Sequence, residues 1–126
     1  MDKKNTKELL EYILFSIVLI EKRFASIHSS DDFLKNTSGL EKLDAISMRL
    51  QTIGEAIKNI LKTDQSTLLE FTHSEYWSNI VKLREIISHH YIDIDAEIVF
   101  EICDEELAEL KENISKIIPP TLLSNH

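Results

Sequence analysis

The stretch GLEKLDAISMRLQTIGEAIKNIL, Gly39–Leu61, decides the fold. Leu43, Ile46, Leu50, Ile53, Ile57 and Ile60 recur at steps of 3, 4, 3, 4 and 3. Such steps keep successive side chains on one face of an α-helix, whereas a strand would alternate at every second residue. Gly54 lies inside the pattern. Glycine costs about 1 kcal/mol relative to alanine in a helix interior, so its presence points to a second helix approaching closely there.

The same seam appears on both sides of this stretch. Leu10, Ile13, Ile17, Ile20, Phe24 and Ile27 define a first helix, expected from Thr6 as N-cap to about Ile27. Leu9, Leu14, Phe15, Val18 and Leu19 widen its stripe almost all round. A helix of that kind is central in a bundle or covered on a second side by another chain. Ser29, Ser30, Asp31 and Asp32 form a turn able to cap a short helical piece, and Thr67–Phe71 is a further possible turn of helix. A third long helix is expected over Ser74–His89. A boundary at Ile92–Asp95, with Asp95 as N-cap, precedes a fourth that runs to about Ile118. Val99, Cys103, Leu107, Leu110, Ile114 and Ile117 face inward on this last helix. The spacing predicts an all-α protein, an up-and-down four-helix bundle with room for a fifth short helix. It reads as one domain over residues 1–126, with loose ends at about 1–5 and 119–126.

The chain holds 14 Lys and Arg against 22 Asp and Glu, a formal charge of −8. A broad nucleic-acid surface needs a basic face, so any RNA site must be a local cleft. A single cysteine, Cys103, excludes an internal disulfide, and no Cys/His group has zinc spacing. Met1–Lys4 leads into a charged helix unlike a signal peptide, and no apolar run approaches the roughly 20 residues of a membrane span. A cytoplasmic protein without membrane association is expected.

The chemistry sits in Arg84-Glu85-Ile86-Ile87-Ser88-His89-His90-Tyr91. On a helical wheel Trp77, Ile80, Leu83 and Ile87 form the apolar face, and Arg84 falls within it. A charge so placed is rarely left without a partner. Arg84 therefore either bridges to a carboxylate on another helix, such as Glu55, or faces an anion in a cleft. His89 lies five residues on, about 140° away on a regular helix. The two converge only if the helix bends or ends, or if a second subunit completes the site. Glu85, four residues before His89, can hydrogen-bond it and favour its charged form; the pair is otherwise a solvated surface pair. His28, His73 and His126 are isolated. Lys58 and Lys62 make an i, i+4 pair that either steers a phosphate backbone or is plain solvated surface.

Arg, four residues, His, one residue and Tyr, at the end of a third helix that carries Trp77, resembles the signature of the HEPN superfamily. The chain is most similar to HepT-like toxins paired with minimal nucleotidyltransferase antitoxins. Ala45–Ala56, with its Gly54-Glu55 pair, looks like their second helix, Trp77–Arg84 like the approach to the motif, and Tyr91–Ile118 like their last helix. Glu85 departs from the family, which often has a neutral polar residue such as Asn there. The resemblance implies a homodimer in which both motifs face one cleft. It implies an RNA endonuclease that works without metal or cofactor, with Arg84 and His89 catalytic and Glu85, Ser88 and His90 in support. It also implies a cognate nucleotidyltransferase antitoxin that attaches AMP to Tyr91, in a type VII-like toxin–antitoxin pair. A non-catalytic partner of the nucleotidyltransferase, binding nucleotide or accepting AMP, and a purely structural dimer are the other readings.

Overall fold

The computed structural model describes residues 3–86 and 92–118. These form helix α1 (Lys3–Phe24), a short α2 (Asp31–Leu34), the long α3 (Thr37–Thr63), a short α4 (Gln65–Leu69), α5 (Ser74–Val81), α6 (Leu83–Ile86), α7 (Ile92–Glu101) and α8 (Leu107–Ile117). A π-turn over Ile102–Glu106 joins α7 to α8. The described residues contain no strand, and the fold is the all-α bundle that the seams predict.

The long helix α3 is the hub. It packs against α1, α2, α4, α5, α6 and α7, while α8 closes over α1. All six seam residues of α3 are buried, from Leu43 to Ile60, as are Leu10, Ile13, Ile17 and Ile20 of α1. Burying each such side chain contributes about 1.5–3 kcal/mol. Trp77 is fully buried and its indole N–H donates to the Leu68 carbonyl at 3.0 Å, tying α5 to α4.

Several boundaries differ from expectation for local reasons. α1 begins at Lys3, and Thr6 is buried inside it instead of capping it. α3 begins two residues before Gly39, because the Asn36 side-chain oxygen accepts the Gly39 N–H at 2.8 Å. Such a cap is worth about 1 kcal/mol. A Cβ on Gly39 would meet the Asp32 carbonyl oxygen at 2.2 Å, so only glycine lets α2 lie this close. The expected third helix is interrupted at Lys82, which separates α5 from α6. Asp95 is inside α7, and Ile92–Asp95 is its first turn, not a separate boundary turn.

The π-turn inserts extra backbone into the last helix, so Ile102 and Cys103 are buried in succession. The seam then runs through Leu107, Leu110 and Ile114 to Ile118, leaving Ile117 only half-buried. On α1, Leu14 is buried within the chain and does not add to the outer surface. Phe15 is 48% exposed, and Tyr12 of α1 and Met48 of α3 are exposed apolar side chains as well.

Candidate functional site

Gly54 sets the geometry. A Cβ there would lie 3.2 Å from the carbonyl oxygens of both Ile80 and Val81, and 3.5 Å from the Arg84 nitrogen. The end of α5 and the start of α6 thus rest directly on the α3 backbone. Arg84 is delivered beside Glu55, the next residue along α3.

Arg84 Nη1 donates to Glu55 Oε2 at 2.5 Å. The carboxylate bridge expected from a charge in an apolar stripe is therefore present, with the partner that the sequence suggested. The side chains are 35% and 48% exposed. An exposed pair of this kind is worth about 0–1 kcal/mol. The bond orients Arg84 without burying it, and the guanidinium keeps a face open to the groove.

Gln51, Thr52, Glu55, Arg84 and Glu85 line an open groove of about 540 Å³. Arg84 and Glu85 are thus brought together at one site. Glu85 is exposed, and its backbone N–H is bound to the Lys82 carbonyl at 3.0 Å. Ser88, His89, His90 and Tyr91 lie outside the described residues, as does His126. His28 and His73 are exposed, as expected, and are not among the residues that line the groove.

The sequence reading missed the opposite wall. Thr52 lines the groove and receives the Tyr12 O–H at 3.2 Å. Arg49, one turn earlier on α3, donates from Nη1 to Tyr12 Oη at 3.3 Å and to the buried Ser16 Oγ at 3.4 Å. Its guanidinium carbon lies 5.8 Å from the Tyr12 ring centre and 5.9 Å from that of Phe15. The Thr52 hydrogen bond, together with Ser16 and the Arg49 charge, holds the Tyr12 phenol below its ordinary value despite burial acting the other way. The available signal was the i, i+3 spacing of Arg49 and Thr52 beside the Gly54-Glu55 pair.

Among the described residues no group of three or more His, Cys, Asp or Glu is placed to hold a metal ion. No helix among them is long and apolar enough to cross a membrane.

The family model described as ribonuclease HepT-like matches residues 13–117. The chain belongs to the ribonuclease HepT-like family. This agrees with the resemblance carried by Ala45–Ala56 and Trp77–Arg84, and the enzyme class expected from it, a ribonuclease, is that of the family. A relative in Methanocaldococcus jannaschii, named as a gamma-glutamylcyclotransferase and candidate RNase, is 33% identical over 116 residues. That match covers 92% of this chain and 49% of the relative, so the chain spans about half its length. A candidate RNase of Caldanaerobacter subterraneus subsp. tengcongensis is 28% identical over 91% of this chain and 96% of its own length. A second candidate RNase of M. jannaschii is 28% identical over 94% of this chain and 91% of its own. No solved structure matches the chain.

Proposed function

We propose that this HepT-like chain is a metal-independent endoribonuclease and the toxin of a type VII-like toxin–antitoxin pair, acting on RNA in the cytoplasm. The observation that carries the reading is Arg84, oriented by Glu55 at the wall of an open groove and followed five residues later in the sequence by His89. His89 takes the proton of a ribose 2′-hydroxyl, the 2′-oxygen attacks the adjacent phosphorus, and the bond to the 5′-oxygen breaks. A second His89, from a paired copy, returns a proton to that leaving oxygen. Arg84 neutralises the charge that builds on the phosphoryl oxygens. The products are a 2′,3′-cyclic phosphate and a 5′-hydroxyl, and the atoms balance without a co-reactant. Glu85, Ser88 and His90 act in support, with Glu85 favouring the charged form of His89.

A homodimer supports this division of labour, because Arg84 and His89 of one copy need not meet. The exposed Phe15 and Met48 supply an apolar face for it. Sedimentation showing a monomer at micromolar concentration rules out the shared cleft. The cognate partner is a minimal nucleotidyltransferase antitoxin. A non-catalytic subunit that binds nucleotide or accepts AMP is the second reading; the carboxylates of Glu55 and Glu85, which repel an RNA backbone, weigh against cleavage in the groove.

The deciding experiment is RNA cleavage by the purified protein in EDTA, with end-group analysis. Cyclic phosphate ends are expected, and Arg84→Ala and His89→Ala should each cost roughly 10²-fold or more. Loss on chelation with recovery in Mg²⁺ overturns the mechanism. A silent His89→Ala alongside an inactive His90→Ala shifts the catalytic base by one residue.

A further inference from the structure

The groove has a charge problem. Its two carboxylates, Glu55 and Glu85, flank Arg84, and the chain as a whole carries −8. A phosphate backbone needs a cation that acidic side chains do not already neutralise. Arg49 is such a cation. Its hydrogen bonds run to two neutral hydroxyls, Tyr12 Oη and Ser16 Oγ, both from Nη1, and among the described residues no carboxylate is its partner. The guanidinium carries five N–H donors in a planar fork. Those on Nη2 and Nε remain for a ligand.

The setting fixes the group. The rings of Tyr12 and Phe15 both lie within 6 Å of the guanidinium carbon, and Ser16 beneath it is fully buried. Thr52 joins this cluster to the groove, since it accepts from Tyr12 and also lines the cavity. Arg49 and Glu55 are six residues apart on α3, roughly 9 Å along the helix axis.

We propose that Arg49, held against the rings of Tyr12 and Phe15, is a second phosphate site that takes the single-stranded RNA backbone beside the phosphate on Arg84. This rests on the ribonuclease reading. The two half-exposed rings offer bases a stacking surface next to the site. Arg49 is a positioning residue: it holds the strand and does not touch the reacting phosphorus. The exposed Phe15 ring packs on it, so the site adjoins the apolar surface offered to a second copy.

The test measures binding apart from cleavage. The probe is a 2′-O-methyl oligouridylate, which has no free 2′-hydroxyl and is not cut, read by fluorescence anisotropy over a salt series. Arg49→Gln should weaken binding roughly tenfold and lower the salt slope by about 0.7. Arg49→Lys keeps the charge but not the planar fork and should fall between the two. It also stands in should Arg49→Gln fail to fold. Lys22→Gln, on the exposed surface of α1, should leave binding unchanged. In cleavage assays Arg49→Gln should raise KM for a cleavable oligouridylate, leave kcat within about twofold, and spare the dinucleotide UpU, which has a single phosphate.

Wild-type affinity in both Arg49 variants overturns the proposal. So does a loss of binding matched by Lys22→Gln, or a shift of Arg49→Gln to monomer, which makes Arg49 an interface residue. A wild type that binds the probe through Arg49 yet never cuts RNA sinks the ribonuclease reading and leaves this site standing.

Discussion

The Cα of Gly54 faces the Ile80 carbonyl so closely that a Cβ would sit 3.2 Å from that oxygen. Helix α5 ends on this contact, and Arg84 follows it onto the α3 surface. A β-branched side chain at position 54 must push α5 outward. Gly54→Val should destabilise the protein by about 1–3 kcal/mol, the usual cost of overpacking, and should reduce cleavage further by moving Arg84. Chemical denaturation beside an activity assay checks both. A Gly54→Val variant of full stability and activity shows that the contact gives way freely.

Glu55 and Arg84 make opposing demands on the same groove. The carboxylate holds the guanidinium in place but, in the proposed ribonuclease, competes with the substrate phosphate for it. Glu55→Gln should alter stability by no more than about 1 kcal/mol, because the pair is exposed. It should lower KM for RNA while also lowering kcat, since Arg84 binds anions more readily but is less well oriented. A rise in KM argues that Glu55 itself contacts the substrate.

Those two relationships were unequally legible in the sequence. The seams of α1 and α3 are visible because burial forces apolar residues into register with the helix turn. The Glu55–Arg84 pair is visible because a charge in an apolar stripe needs a partner. The break at Lys82 and the π-turn at Ile102–Glu106 are main-chain events. Apolar steps of 3 and 4, such as Val99, Cys103, Leu107, Leu110 and Ile114, do not reveal either of them. Thr6 has the chemistry of a cap, but Lys3–Asn5 continue the helix ahead of it. The role of Arg49 is not legible in the sequence because its partners are hydroxyls and rings, which no charge pattern announces.

Burial within the π-turn pushes the Cys103 thiol up to about 12 from an ordinary 9.0. The folded state thus favours the neutral thiol more strongly than the unfolded chain does. The resulting stability is fully present below pH 9.0 and is lost as pH rises toward about 12. Cys103→Ala removes this dependence and, at neutral pH, costs stability through the lost packing. Urea midpoints of the two proteins should therefore converge as pH rises above 9.0. Parallel profiles across the alkaline range contradict the assignment. Native Cys103 should also resist alkylation near neutral pH, where its reactive thiolate is scarce.

Control of the proposed toxin is expected at Tyr91, two residues after His89 and seven after Arg84 in the sequence. A phenol is a good acceptor for an adenylyl group: its oxygen attacks the α-phosphorus of ATP, and pyrophosphate leaves with the bonding electrons. The phenol proton passes to a base on the transferase. The modified side chain carries a phosphodiester anion and a base where it had a neutral ring. That anion competes for Arg84 and repels an incoming RNA backbone. Co-expression with a minimal nucleotidyltransferase should add AMP mass to the protein and suppress cleavage. Tyr91→Phe should keep the cleavage and escape the suppression, because the ring remains while the acceptor oxygen is gone. Spectra of the intact protein with no added AMP, or full inhibition of Tyr91→Phe by the partner, exclude this route and leave direct blockage of the groove by the antitoxin as the means of silencing.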